Sequence, residues 1–180
     1  MAEVFEAPRK SRREEILRTA LGLFLKKGFD GTPTSEIAAA VGTSKANVYH
    51  HFRAKDDLLR ALVDPLFEQV EQLVDREPEK EKLLEEYLEI MLENHELVAF
   101  LGNDLAVLSR PQIGERAARI HDRLLALVAG PEAGLAELVR AEHALGGMRA
   151  AVVRFSEISE ADLKTVRETS LQAAKTALTF

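Results

Sequence analysis

The sequence predicts an all-α protein of about nine helices, with an N-terminal three-helix unit that contains a helix-turn-helix and a larger helical remainder. Apolar residues recur every three to four positions in successive segments, and no segment has the strict alternation of a half-buried strand. The charge also divides the chain. Residues 1–55 hold 10 Lys and Arg against 6 Asp and Glu, whereas residues 56–180 hold 14 against 24. We expect two domains, residues 1–54 and residues 55–180.

Composition narrows the class of protein. The chain has 180 residues, 46% hydrophobic and 30% charged, which is typical of a soluble globular protein with one or two domains. It has no cysteine, so disulfides, thiolate metal sites and a cysteine nucleophile are excluded. No apolar run reaches the roughly 18 residues of a membrane span, and the N-terminus has no signal-peptide pattern. We expect a cytoplasmic protein with no membrane partner.

The first two helices are marked by their ends. Residues 1–10 are expected to form a flexible arm. Ser11 and Glu14 have the S-x-x-E spacing of a capping box at the start of the first helix, and Gly28 ends it. Pro33 suits the first position of the second helix, with Thr32 as the expected cap.

The third helix is the most informative stretch. Gly42 ends the second helix, and Ser44 can cap the third by accepting a hydrogen bond from a backbone N–H. The third helix gives the core only Val48 and Phe52. Its other faces carry donors and rings but no acid, which favours an anionic partner such as the DNA major groove. These polar and aromatic residues are Lys45, Asn47, Tyr49, His50 and His51.

Periodicity predicts the remaining helices. The fourth runs from near Lys55 to about Asp75, and Pro65 inside it should kink it. The next four are expected at about Lys80–Asn94, Glu96–Ser109, Pro111–Val128 and Pro131–Phe155. The last is capped by Ser159 and Asp162 and reaches nearly to Phe180.

Residues 11–60 resemble the tetracycline repressor (TetR) family of bacterial transcription regulators. The markers stand at fixed spacing: Ile16-Leu17-x-x-Ala20, Leu23-Phe24, Gly28-Phe29, Thr32, Ile37-Ala38, Gly42-x-Ser44, Val48-Tyr49-x-His51-Phe52, Lys55 and Leu58-Leu59. The chain departs from the family pattern at Pro33, Thr43, Ala46 and Ala54. The resemblance implies a dimeric, ligand-responsive repressor that binds a palindromic DNA operator.

The candidate DNA contacts fall into two groups. Lys45 could donate to guanine, Asn47 could pair with adenine, and Ala46 lets the backbone approach a base. The alternative for Lys45 and Asn47 is simple solvation, and for the Tyr49 ring it is packing against the second helix. The contacts expected mainly with the sugar-phosphate backbone are Thr32, Thr34, Tyr49, His50, His51 and Lys55, and Ser44 completes the set as the cap.

The resemblance also implies an effector pocket within the fourth to seventh helices, and no bound cofactor. Its apolar bias suggests a hydrophobic or amphipathic small molecule, such as an acyl chain or an aromatic compound. For any single residue, a place in the plain core or on the surface is the alternative. The candidates are Phe67, Met91, His95, Phe100, Leu101, Asn103, Asp104, Leu105, His121, Leu124 and Leu127.

Two heptad series indicate a seam for another helix. Leu138, Leu145 and Val152 recur every seven residues, and Ala141, Met148 and Phe155 follow three later. Ala173 and Ala177 in the last helix permit close approach. The residues themselves leave open an intramolecular core, whereas the resemblance implies a homodimer in which the last two helices of each copy pair.

Two other classes of function fit the sequence less well. The chain has no H-E-x-x-H, G-x-S-x-G, P-loop or G-x-G-x-x-G motif, so we do not expect an enzyme. A helical protein-interaction module without DNA binding would leave the acid-free face of the third helix unexplained. The sequence therefore predicts a DNA-binding repressor that a small effector releases.

Overall fold

The computed structural model describes residues 11–156 and 159–178, and within these ranges the chain forms ten α-helices and no strand. The prediction of an all-α fold is confirmed. The helices are α1 (Arg12–Lys27), α2 (Thr34–Val41), α3 (Lys45–His51), α4 (Lys55–Asp75), α5 (Lys80–Glu93), α6 (His95–Asn103), α7 (Leu105–Leu108), α8 (Pro111–Ala129), α9 (Leu135–Arg154) and α10 (Glu160–Leu178).

One helix more than predicted arises at Asp104. This residue leaves the helical region, with φ −108° and ψ 80°, and separates α6 from the short α7. The sequence hides the break because apolar residues continue on both sides of it at helical spacing. Gly102, just before the break, lies against α9, where an added Cβ would come within 2.8 Å of a Val153 methyl. The glycine therefore allows the close approach of α6 and α9.

Two helix starts also differ from the sequence prediction. Pro131 does not open α9, because Gly130 adopts φ 98° and a turn intervenes before Leu135. Thr32 does not cap α2. Its side chain is fully buried and its hydroxyl donates to the carbonyl of Gly28 at 2.8 Å, one of the carbonyls that the end of α1 leaves without a helical partner.

Contacts divide the chain into two compact units that meet in sequence between Leu62 and Val63. The first unit buries apolar side chains of α1 to α3 and the start of α4. Phe24 and Phe29 pack edge to face at its centre, with ring centroids 5.1 Å apart. The capping box predicted at Ser11 and Glu14 is present, so both ends of α1 are fixed as expected.

The second unit is built around α9, which contacts α5, α6, α8 and α10. Its predicted heptad seam is buried inside the chain: Ala141, Leu145, Met148 and Val152 are each at most 1% exposed. Ala141, Leu145 and Val152 therefore have almost no surface left to bury against a second copy, which corrects their assignment to the dimer interface. Met148 is as buried but lines the groove between α9 and α10. Leu138 is half-buried, and Phe155 is exposed.

Besides Leu138, two positions of the predicted interface remain at the surface. Ala173 of α10 is exposed, and Ala177 is half-buried. None of the helices in the described ranges is long and apolar enough to cross a membrane.

Candidate nucleic-acid interface and ligand cavity

A glycine turn fixes α3 relative to α2. Gly42 adopts the left-handed conformation, with φ 69° and ψ 40°. Its N–H donates to Ala39 at 3.1 Å, and the N–H of Thr43 donates to Ala38 at 2.9 Å. This is the Schellman pattern, which satisfies the last carbonyls of α2. Ser44 then caps α3, as predicted, by accepting from the N–H of Asn47 at 3.1 Å.

The outer face of α3 is exposed and contains no acid. Val48 is 1% exposed and anchors the helix in the core. Lys45, Ala46, Tyr49 and His50 are exposed. The Lys45 ammonium lies 5.6 Å from the centroid of the Tyr49 ring, within the range of a cation–π contact. The face therefore offers a cation, a phenol and an imidazole to a partner rich in hydrogen-bond acceptors.

The side chain of Asn47 is oriented by its neighbour in the turn. Its Nδ2 donates to the Thr43 hydroxyl at 2.8 Å, and the residue is half-buried. Thr43 is one of the positions where the chain departs from the family pattern, so this hydrogen bond depends on a particular feature of this sequence. The contact leaves Oδ1 of Asn47 as the acceptor that can meet a base.

His50 and His51 lie at the end of α3. Their ring centroids are 5.4 Å apart in an edge-to-face arrangement, and His51 also packs near Phe52. In the part of the chain that the structure describes, no three His, Cys, Asp or Glu side chains come together in a way that could hold a metal ion.

The predicted contacts around α3 differ in accessibility. Thr32 is fully buried, so its side chain is not presented to phosphate, which corrects the phosphate contact predicted for it. Thr34 begins α2 and is 9% exposed. Lys55 begins α4, and its ammonium lies 4.2 Å from the centroid of the Phe29 ring. The predicted arm, residues 1–10, lies outside the described residues.

The second unit encloses a largely apolar cavity of about 350 Å³. Helices α4 to α9 supply its lining. Six residues proposed from the sequence line it: Phe67, Met91, Leu101, Leu105, His121 and Leu124. The other lining residues are Leu66, Val70, Tyr87, Val98, Gly102, Leu108, Ala117, Ile120 and Arg149.

The remaining candidates for this pocket lie elsewhere. Phe100 is 1% exposed but does not line the cavity, because α6 turns Leu101 and Val98 towards it instead. His95 begins α6, where its Nδ1 lies 2.9 Å from the carbonyl oxygen of Leu92. Asn103 is exposed, Asp104 forms the break after α6, and Leu127 is half-buried, all outside the lining.

Two polar residues of the cavity, Tyr87 and Arg149, were not predicted from the sequence. Tyr87 is only 5% exposed, and burial raises the pKa of its phenol, while Arg149 acts to lower that pKa and Glu142 to raise it. In the sequence, Tyr87 falls on the apolar face of its helix and is typical of a core residue. His121, also in the lining, has its Nε2 2.7 Å from Glu142 Oε2.

A second feature missed in the sequence is an ion-pair cluster that joins α4 to α8. Arg116 donates to both carboxylate oxygens of Glu71, at 2.8 and 2.6 Å, and to Asp64 at 2.9 Å. Its guanidinium also lies 5.3 Å from the centroid of the Phe67 ring, a wall of the cavity. The hydrogen bond from Arg116 lowers the pKa of Glu71. Arg116 and Glu71 lie 45 positions apart, so no local spacing in the sequence reveals the cluster.

Comparison with known proteins connects this geometry to a family. The model of the tetR family of bacterial regulatory proteins matches residues 16–62. The chain is similar to the HTH-type transcriptional repressor KstR2 of Mycobacterium tuberculosis, with 38% identity over 69 residues. That match covers 36% of this chain and 34% of the relative. The chain therefore matches about a third of the length of this curated relative.

Solved structures are similar over nearly the whole chain. A transcriptional regulator from Aquifex aeolicus VF5 superposes with a TM-score of 0.71 at 22% identity, covering 92% of this chain and 99% of its own. AibR, solved in complex with isovaleryl coenzyme A and operator DNA, gives 0.64 at 22% identity, covering 89% and 96%. At these identities the likeness shows the fold. Residues 16–62 therefore match the tetR family of bacterial regulatory proteins, and the fold of the solved regulators extends over nearly the whole chain.

Proposed function

We propose that the chain is a transcriptional repressor that binds palindromic operator DNA as a homodimer and is released by a small molecule. The observation that carries the proposal is the exposed, acid-free face of α3, held by the Gly42 turn and the Ser44 cap. The family match supports it, as does the name of KstR2, a repressor. A protein with this role acts where the bacterial chromosome lies, in the cytoplasm.

The accessible residues of α3 fall into two groups, those that can contact base edges and those that can contact the sugar-phosphate backbone. Lys45, Ala46 and Asn47 form the first turn, the part of a recognition helix that meets base edges. Tyr49, His50 and His51 follow and are assigned mainly to the sugar-phosphate backbone. Two helix N-termini add further phosphate sites, with Thr34 at α2 and Lys55 at α4. Thr32 is no longer part of this set.

The test of DNA binding is its dependence on salt. The affinity of the chain for a duplex selected from a random pool should fall steeply as the salt concentration rises. Each phosphate that a Lys or Arg side chain neutralises releases counterions, and added salt opposes this release. Lys45→Gln should reduce affinity and, if Lys45 also meets a phosphate, lower the salt slope by about one. Lys164→Gln is the matched control, because Lys164 is an exposed lysine of α10. An affinity that salt leaves unchanged would exclude the proposed mode of binding.

The groove between α9 and α10 is the surface that we assign to the second copy of the chain. It has a volume of about 580 Å³ and a lining of mostly small side chains. Gly147 of α9 and Thr169 and Ala173 of α10 are among the exposed members. Small exposed residues allow helices of two copies to approach closely, and this groove replaces the buried heptad seam in the proposal.

The cavity in the second unit is the proposed effector site. The AibR structure, which holds isovaleryl coenzyme A and operator DNA, supports a small-molecule effector for this fold. Leu66, Phe67 and Val70 of α4 line the cavity, and α4 contributes residues to both units. A ligand that binds one arrangement of α4 better than another shifts the population towards it. The apolar lining suits a hydrophobic or amphipathic ligand.

Pro65 lies inside α4, next to the cavity residues Leu66 and Phe67. A proline in a helix interior removes a backbone hydrogen bond and weakens the helix locally. We expect Pro65→Ala to change operator affinity, effector response or both, measured by titrating operator with and without effector. If both quantities stay at the wild-type values, Pro65 has no part in transmission.

A further inference from the structure

We propose that the cavity binds a small carboxylic acid with an apolar body, whose carboxylate is held by the Arg149 guanidinium and the Tyr87 hydroxyl. The proposal rests on the proposed function, because it takes this cavity as the effector site. It goes further by naming the chemical class of the ligand and the two residues that select it.

Tyr87 provides a hydrogen-bond donor in the lining of the cavity. The residue is 5% exposed and belongs to the lining, and its hydroxyl forms no hydrogen bond with any residue in the described ranges. The hydroxyl oxygen is not among the fully buried unpartnered atoms of the described residues, so it is accessible and can donate to water or to a ligand in the cavity. An oxygen of a bound ligand can accept this hydrogen bond.

Arg149 provides the charge. It lines the cavity from α9 and makes no ion pair with any acid within residues 11–156 and 159–178, whereas Arg116 and Arg140 both do. Arg149 is exposed and shares the cavity lining with Tyr87, and its positive charge acts to lower the pKa of the Tyr87 phenol. A guanidinium matches the two oxygens of a carboxylate with parallel hydrogen bonds.

One acid, Glu142, contacts a residue of the cavity lining but does not itself line the cavity. One of its oxygens lies 2.7 Å from His121 Nε2. His121 does line the cavity, so the lining contains an imidazole, a phenol and a guanidinium but no carboxylate.

The remaining lining and the volume of the cavity determine the polarity and the size of the rest of the ligand. Phe67, Met91 and Leu124 are typical of its walls, which offer apolar contact and little else. One water takes up about 30 Å³ of liquid, so a cavity of about 350 Å³ holds on the order of a dozen non-hydrogen atoms. An acid of medium length, such as octanoate, fits within this volume, whereas a long acyl chain exceeds it.

The first experiment compares ligands on the full-length wild-type chain by isothermal titration calorimetry. The probes are octanoate, octanamide and octylamine, which share chain length and differ in the charge of the head group. We expect octanoate to bind about tenfold more tightly than octanamide, the difference typical of one charge-assisted hydrogen bond, and octylamine to bind most weakly. Equal affinities for octanoate and octanamide, or no binding of octanoate, would overturn the proposal.

Two variants locate the head group. Arg149→Gln should weaken octanoate about tenfold, to the level of octanamide, and leave octanamide unchanged. Tyr87→Phe keeps the ring and should weaken both ligands, because a carboxylate and an amide oxygen both accept from the hydroxyl. Arg154→Gln, at an exposed arginine of the same helix outside the lining, is the matched control and should match the wild type. Octanoate affinity unaffected by Arg149→Gln would reject the assignment.

Operator binding is measured separately, so that the two proposals fail independently. Octanoate binding that depends on Arg149 supports the ligand class even if the chain binds no duplex, a result that would refute the repressor function. Salt-dependent duplex binding without octanoate binding supports the repressor and overturns the ligand class. Both variants are compared with the wild type by circular dichroism, and the conservative Tyr87→Phe tests the site even if Arg149→Gln does not fold.

Discussion

The amide of Asn47 is held on one side by a hydrogen bond within the turn. Its Nδ2 donates to the Thr43 hydroxyl, so its carbonyl oxygen is directed away from the turn and its position is partly fixed. A side chain that is already oriented loses less conformational entropy when it meets a base. Thr43 therefore acts as a positioning residue for Asn47, although it lies outside α3 itself.

We expect Asn47→Ala to relax discrimination at one base pair, at a cost of about 1–3 kcal/mol for the preferred base. Thr43→Val, which keeps the shape and removes the acceptor, should relax the same base pair by a smaller amount. Affinities for the selected operator and its single-base-pair substitutions measure both effects. In an Asn47→Ala background, Thr43→Val should have no further effect on that base pair. A uniform loss over all sequences would instead assign Asn47 to phosphate.

The Arg116 cluster gives a stability that depends on pH. The hydrogen bond from Arg116 lowers the pKa of Glu71 in the folded chain. The ionised Glu71 therefore contributes to the free energy of unfolding above its ordinary pKa of 4.5, and this contribution is lost as pH falls through the lowered pKa. We expect Arg116→Gln to reduce the free energy of unfolding by about 1–2 kcal/mol at neutral pH, a modest amount because Glu71 stays partly exposed. Thermal unfolding should show the deficit shrinking below about pH 4.5.

Arg123→Gln is the matched control for this prediction. Arg123 also joins α8 to α4, through Asp75 at 2.6 Å, but both side chains are largely exposed. Its replacement should change stability little. Equal losses for the two variants, or a deficit of Arg116→Gln that stays constant down to pH 3, would show that the cluster does not act through the charge of Glu71.

The elements could be predicted where their ends carry a local signal. The Ser11 box, the Gly28 and Gly42 stops and the Ser44 cap each depend on residues within a few positions, and the structure confirms all four. The break in the helix at Asp104 could not be predicted, because the helical spacing of apolar residues continues across it. Heptad spacing in α9 correctly marked an apolar stripe, but spacing does not say whether the partner helix belongs to the same chain.

The cavity shows the same limit. Its lining depends on how each helix is rotated, and a rotation of one position exchanges Phe100 for Leu101. Tyr87 and Arg149 become a pair only when α5 and α9 pack together, 62 positions apart in the sequence. Residue types that favour a pocket can be read from a sequence, whereas the set that meets around one ligand is a property of the packed helices.

At the scale of the turn, two glycines allow a matched test. Gly42 has φ 69° with open space around its Cα, so the cost of an added Cβ there is the left-handed backbone alone. We expect Gly42→Ala to lower the free energy of unfolding by about 1–2 kcal/mol. Gly22, inside α1 and also open, should give a gain of about 0.5–1 kcal/mol as Gly22→Ala. Urea unfolding measures both, and a stabilising Gly42→Ala would contradict the role assigned to the turn.

Across the whole molecule, charge separates the proposed roles. Residues 1–55 carry a net positive charge and residues 56–180 a net negative one. Phosphates therefore attract the first stretch and repel the second, which disfavours non-specific contact through the larger unit. Some acidic residues of this unit form ion pairs within the chain. Lys175 of α10 pairs with Glu81 and Glu85 of α5, and Arg167 pairs with Glu89.

The last prediction concerns two copies of the chain. If α9 and α10 pair with their counterparts across the groove, an arginine at Ala173 places a large charged side chain where small ones meet. Ala173→Arg should therefore convert the dimer to a monomer, measured by light scattering after size-exclusion chromatography. Operator affinity should fall about a hundredfold or more, because each monomer then holds one half-site without the second contact that raises the effective concentration.

Ala126→Arg supplies the control, since Ala126 is an exposed alanine of α8 outside the groove. It introduces the same charge and bulk and should leave both mass and operator affinity unchanged. A dimeric Ala173→Arg with wild-type affinity would place the interface elsewhere on the surface. A monomeric variant that still binds a full operator as tightly as the wild type would show that dimerisation is not needed for operator binding. A dimer that contacts both half-sites would then have no affinity advantage over a monomer that contacts one.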